Sequence, residues 1–169
     1  MLSKKVTNLL NAQIEKEGYS SNLYLAMASW AENEGFKGIS DWLYAQSEEE
    51  RLHMKMFISY INERGAKAVI PAFDKPEIKI KSARDLFEQV LKHEYFISGS
   101  INDIVALTTQ EKDFSSYNWI QWFVNEQIEE ESNVRTILDK LKLVGESNLY
   151  LFDRDIMSLR TPAGPGPQA

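Results

Sequence analysis

Apolar residues recur at three- and four-residue intervals over four long stretches of this chain, and glycine and proline gather in the gaps between them. That period predicts amphipathic α-helices. The first runs from Ser3, a candidate N-cap, to about Asn33, with Leu10, Ile14, Tyr24, Ala28 and Ala31 on one stripe. Glu34-Gly35-Phe36-Lys37-Gly38 makes a turn. The second helix spans about Ile39 to Arg64, carries Leu43, Phe57 and Ile61 on its stripe, and ends at Gly65, where a helix terminus prefers glycine. The third starts at Ser82, spaced from Asp85 as in a capping box, and continues through Phe87, Leu91, Ile101 and Val105 to about Gln110. The fourth covers about Ser115 to Val144 and stops at Gly145.

Helices of this size are roughly 40 Å long and are best packed side by side. The first and third turns are too short for anything but antiparallel neighbours. Ala66 to Lys81, with Pro71 and Pro76, is different: extended at about 3.3 Å per residue, it spans roughly 50 Å. The prediction is an all-α four-helix bundle with a single long crossover between helices two and three. Beyond Gly145, Ser147 is placed to cap a short C-terminal fifth helix with Leu149, Phe152, Ile156 and Leu159 on an apolar face. Residues 1–160 read as one domain, and the Pro/Gly-rich 161–169 as a disordered tail.

Ionisable residues interrupt every apolar stripe. Seven-residue steps give Leu10, Glu17, Tyr24 on the first helix, Leu43, Glu50, Phe57 on the second and Phe87, Glu94, Ile101 on the third. His53 follows Glu50 by one turn, and on the fourth helix Gln127 and Glu130 share a stripe with Phe123, Val134 and Ile137. The same interval of 33 residues separates Glu17 from Glu50 and Glu94 from Gln127, so the two halves of the chain are pseudo-equivalent. One Glu from each of two helices, with an i, i+3 pair from each of the others, is a di-iron carboxylate arrangement. Carboxylate and imidazole suit ferrous and ferric iron, and a bridging carboxylate lets two metals sit close. Buried carboxylates left without metal or protons cost several kcal/mol each, against a domain stability of roughly 5–15 kcal/mol.

Taken singly, the runs Glu48-Glu49-Glu50 and Glu129-Glu130-Glu131 and the one Glu-x-x-His read as ordinary solvated helix surface. Only the conjunction of four helices, core phase and equal spacing is specific. His93 lies about 100° around its helix from Glu94 and is set apart from the site. Trp30, Trp42, Trp119 and Trp122 read as packing residues, with Trp122 nearest the centre. Glu49, Glu126 and Glu129 each precede a site residue by one position and rotate off the core stripe. They converge either as a further weak cation site or as solvated surface, and spacing does not choose between these.

Composition narrows the chemistry. There is no cysteine, which excludes disulfides, thiolate-held metal and a cysteine nucleophile, leaving O and N ligands. A balance of 19 basic and 25 acidic residues, net charge -6, works against binding nucleic acid or an anionic membrane and is compatible with attracting cations. With no secretory apolar region at the start and no run of 18 apolar residues, the chain reads as soluble and cytoplasmic. A di-iron or di-manganese oxidase without storage, and a structural bundle with a buried polar network and no metal, remain as rival readings.

The segments Glu17-Gly18-Tyr19-Ser20-Ser21-Asn22-Leu23-Tyr24, Glu49-Glu50-Arg51-Leu52-His53 and Asn118 to Glu131 resemble the bacterial non-haem ferritins, and the likeness extends to about Leu159. The resemblance implies a ferritin-like fold, a hollow homo-oligomeric shell of twenty-four subunits, and oxidation of Fe(II) by dioxygen or hydrogen peroxide at an intrasubunit centre, with ferric mineral stored inside. It implies that Glu17, Glu50 and His53 ligate one iron, with Glu50 bridging, and that Glu94 and Glu130 ligate the other. Gln127 would line the second position and Tyr24 would hydrogen-bond nearby. Glu49, Glu126 and Glu129, with Glu130, would form a third iron site, and the fifth helix would line fourfold channels. Arg51 stands where the haem-binding relatives have methionine, so no haem is expected. Gln127-x-x-Glu130 departs from the second Glu-x-x-His of those relatives, which implies a looser second iron. Rubrerythrins need cysteines this chain lacks, and the mini-ferritins have shorter chains with sites between subunits.

Overall fold

A computed structural model describes residues 1–161, 164, 166 and 167. The helices are α1 (Lys4–Asn33), α2 (Lys37–Glu63), α3 (Ala83–Gln110), α4 (Phe114–Val144) and the short α5 (Leu149–Asp155), the last flanked by 3-10 turns at Glu146–Asn148 and Ile156–Leu159. Among the described residues there is no strand. The reading of 161–169 as disordered falls largely on residues 162, 163, 165, 168 and 169, which lie outside the described residues.

Local chemistry fixes most boundaries. Ser3 Oγ accepts from Val6 N at 3.2 Å to start α1, and Ser82 Oγ accepts from Asp85 N at 3.1 Å to start α3. Helix α4 begins one residue before the expected Ser115 because Asp113 caps it, accepting from Ser116 N at 3.1 Å. Helix α2 begins at Lys37 rather than Ile39: Phe36 occupies its N-cap without a side-chain bond and stacks on Trp30 instead. Helices α1, α2 and α3 all end in the same paired-bond motif, for example Gly65 N to Asn62 O at 3.0 Å and Ala66 N to Ile61 O at 3.1 Å. The left-handed residue that motif requires is Gly35 after α1 and Gly65 after α2, but Lys112, at φ 55°, after α3.

Helices α1 and α2 form one antiparallel hairpin and α3 and α4 another. The segment between α2 and α3 has no regular secondary structure and travels the length of the bundle. Near its start Val69 N donates to Asn11 Oδ1 at 2.7 Å, and near its end Gln89 Nε2 donates to Lys79 O at 3.0 Å. Midway, the Phe73 ring lies against Gly18 so closely that a Cβ there would overlap it at 2.3 Å. The long crossover predicted from length and proline content is therefore present.

Burial divides the bundle into two apolar cores. One contains Tyr24, Trp42, Phe87 and Ile137, the other Leu10, Phe57, Ile101 and Phe123. On every long helix a buried glutamate separates the two: Glu17, Glu50, Glu94 and Glu130. Helix α5 corrects the sequence reading. Ser147 caps nothing; it lies inside the preceding 3-10 turn, and Asn148 occupies the N-cap without a side-chain bond. Where the resemblance gives this helix to a channel lining between subunits, its Phe152 and Ile156 pack into the first core of their own chain, beside Phe87. Gly38 makes that docking possible, because a Cβ on it would sit 1.7 Å from Asp153 O.

Candidate metal centre

The carboxylates at mid-bundle are brought there by helix phase. Positions 17, 50, 94 and 130 follow the apolar stripes of their own helices, so packing those stripes inward carries the polar residues with them. Glu17, Glu50 and His53 offer ligand atoms that all lie within 4.8 Å of one another. His53 Nδ1 is 3.4 Å from Glu50 and 4.0 Å from Glu17. Glu17 Oε1 accepts from Gln13 Nε2 at 2.7 Å, whereas Glu17 Oε2 and His53 Nε2 are buried with no hydrogen-bond partner among the described residues. Buried polar atoms are rarely left so, and unmet ones at a carboxylate–imidazole cluster fit a cation that is held by them.

The other half of the centre is differently satisfied. The Tyr24 hydroxyl donates to Glu94 Oε1, and Gln127 Nε2 donates to Glu94 Oε2 at 3.1 Å and to the Glu94 carbonyl at 3.3 Å. Glu130 is buried opposite, on α4. Glu94, Gln127 and Glu130 thus border the centre without entering a tight ligand group.

Burial dominates the electrostatics. Desolvation, and then the neighbouring Glu50 charge, raise Glu17 to about 8. Glu50 and Glu130 are pushed well above the ordinary carboxylate range, first by burial and then by Glu94, and burial raises Glu94 as well. Without metal, burial thus favours the protonated, neutral form of these carboxylates. The same burial holds the Tyr24 hydroxyl well above its usual range.

Beside this cluster lies a second one. Glu49, His53 and Glu126 also bring ligand atoms within 4.8 Å, sharing His53 with the first. Glu126 is raised by burial, and the charges of Glu49 and Glu129 raise it further. Glu129 itself is half-buried and stands outside the tight group. Glu49 Oε1 has no partner among the described residues, while its Oε2 accepts from Arg160.

Trp122 meets His53 edge-on, ring centroids 5.5 Å apart, whereas Trp42 and Trp119 are core. His93 is hydrogen-bonded to Ser20 Oγ at 2.8 Å, and burial lowers it to about 4, which keeps it neutral. Sequence reasoning missed Gln13 and Gln46, both buried one turn before a site glutamate and separated by the same 33-residue interval. That repeat was a usable signal. It also missed Arg160, the last residue before the proline-rich tail, for which no spacing gives a signal.

Fold and centre define a class: antiparallel helix pairs joined by a long crossover, wrapped around a buried carboxylate–imidazole site for metal. The family model for the ferritin-like domain matches residues 7–144. A probable bacterial non-heme ferritin-like protein of Haemophilus influenzae is 44% identical over 165 residues, 96% of this chain and 100% of the relative. The bacterial non-heme ferritin of Campylobacter jejuni is 44% identical over 161 residues, 94% of this chain and 96% of the relative. The open pore ferritin of the archaeon Archaeoglobus fulgidus superposes with TM-score 0.90 at 39% identity, covering 95% of this chain and 98% of that one. The chain belongs to the ferritin family. Its function is that of the family, iron storage with ferroxidase activity, the oxidation of Fe(II) to Fe(III). No helix among the described residues is long and apolar enough to cross a membrane.

Proposed function

We propose that two Fe(II) ions are oxidised at the mid-bundle centre of each subunit, as substrates, with Glu17, Glu50 and His53 holding the first and Glu94 and Glu130 the second. Glu50 is shared between them, Gln127 lines the second position, and Tyr24 orients Glu94. The observation that carries this assignment is the buried Glu17–Glu50–His53 group, with His53 Nδ1 facing both carboxylates and Glu17 Oε2 left unmet. Two Fe(II) supply the two electrons that, with two protons, reduce dioxygen to hydrogen peroxide, or hydrogen peroxide to two waters. The carboxylates release protons as the ions arrive and take them up as the ions leave, because burial favours their neutral form until a cation is present.

Glu49 and Glu126, beside Glu129 and Glu130, form a third iron position through which ions reach or leave the pair. Twenty-four subunits assemble into a shell in the cytoplasm, and ferric mineral collects inside it. Exposed Tyr150, Leu143, Ile128 and Phe96 support assembly, since large apolar side chains at 57–79% exposure favour contact with further subunits. The exposed residues of α5, Tyr150 and Leu151, are available for contacts around a channel. The test is an aerobic Fe(II) titration of metal-free protein with rapid-mixing absorbance, beside Glu50→Ala. Fast oxidation saturating near two or three ions per chain, followed by slower uptake, is expected. Saturation without further uptake would indicate an oxidase that stores nothing, and no fast phase in the unaltered protein would refute the assignment.

A further inference from the structure

The chain folds its own cation onto the outer acidic cluster. Arg160 follows the last 3-10 turn, where Ile156 is fully buried and the chain packs closely on Gly38 through Asp153. From there its side chain, 15% exposed, reaches Glu49, 5% exposed, donating through Nη2 to Glu49 Oε2 and to Ala45 O at 3.5 Å. Guanidinium has donors only and stays charged at any working pH, so it can neutralise Glu49 but cannot join it in holding a metal. The fit is incomplete: Arg160 Nε and Glu49 Oε1 are both buried without a partner among the described residues. Glu49 Oε1, His53 and Glu126 therefore form a ligand group that already carries one fixed positive charge.

We propose that Arg160 is a tethered competitor of iron at the outer position, lowering the affinity there so that ions pass through it and are not retained. This rests on the assignment of Glu49 and Glu126 to a third iron position made above. A unit charge about 6 Å from a divalent cation weakens its binding by a factor of about ten even at the dielectric of bulk water, and raised salt diminishes the effect. Arg160 thereby acts first on residence at the outer position, which it touches through Glu49.

The test uses metal-free assembled protein titrated at equilibrium with Zn(II), a redox-inert probe with the same preference for carboxylate and imidazole. Arg160→Gln is expected to tighten the weakest equivalent per chain about tenfold, with the stronger equivalents unmoved, and 0.5 M NaCl narrows the difference. Arg160→Lys, which keeps the charge, should behave as the unaltered protein does. Unchanged or weakened outer binding in Arg160→Gln overturns the proposal, the second outcome showing that the arginine positions Glu49. Glu49→Gln separates the two levels of the argument. If it removes no Zn(II) equivalent from the unaltered protein, the outer position itself is wrong; if it removes one while Arg160→Gln changes nothing, only the role of Arg160 fails.

Discussion

The two helical hairpins repeat the same 33-residue interval between their core polar residues, yet they leave the centre in opposite conditions. The α1–α2 hairpin gathers Glu17, Glu50 and His53 tightly and leaves ligand atoms unmet. The α3–α4 hairpin ties both oxygens of its Glu94 to Tyr24 and Gln127. Pseudo-symmetry thus decides where polar groups stand, and hydrogen bonding decides which of them are open to a cation. An ion on the first side meets atoms with nothing to give up, whereas one on the second must displace donors. The looser second iron that the resemblance implies is in keeping with that difference.

The largest effect should come from removing the residue on which both sides depend. Glu50→Ala is expected to slow the rapid oxidation phase by at least about 100-fold, the upper end of what even supporting residues cost a metal site; stopped-flow absorbance reads it. A residual fast phase would mean that the two sides act independently.

Next is the proton dependence of the metal-free protein. Glu17 ionises near 8 when folded against an ordinary value of 4.5, so the folded state holds a proton that the unfolded state has lost over that window. Unfolding releases it, and stability is full below about 4.5 and lost as pH rises through 8. Glu50, Glu94 and Glu130 are shifted the same way. Melting scans should fall by several degrees from pH 6 to pH 8.5, and saturating Zn(II) should reverse the trend. A flat profile would show that the centre is already open to water.

Gln127→Glu sharpens the comparison by making the second hairpin resemble the first. It adds a charged ligand and removes the donor to Glu94, so calorimetry should show the second Zn(II) binding about tenfold tighter, with the metal-free protein less stable by about 1–3 kcal/mol. The smallest effect concerns the turns. Where the first hairpin has Gly35, the second forces Lys112 to positive φ, a strain of about 1–2 kcal/mol for an L-residue. Lys112→Gly should recover up to about 1 kcal/mol in denaturant titration, less the added entropy of the unfolded chain.

The site was legible because helical period is unforgiving: a glutamate in step with Leu43 and Phe57, or with Phe87 and Ile101, has nowhere to point but inward. The crossover was legible from its length and prolines. Boundaries at Phe36 and Asp113 were less so, since a stacked ring and an aspartate cap each extend a helix by a residue or two. The burial of α5 was hidden, because Phe152 and Ile156 find their neighbours only after the bundle has formed, in a gap that Gly38 keeps open. Arg160 was hidden for the same reason: its partner is 111 positions away, and no periodicity links them.

The polar belt between the two cores also bears on how the molecule breathes. The two apolar clusters are separate, with a buried glutamate between them on every long helix, so loosening one is expected to expose little of the other. Cooperativity between the two ends is then carried by four helix backbones and by whatever neutralises the belt. Protons do so one carboxylate at a time; a multivalent ion clamps several helices at once. An ion held by several helices would therefore tie the two ends together, and the unloaded protein is expected to be the more compliant at its waist.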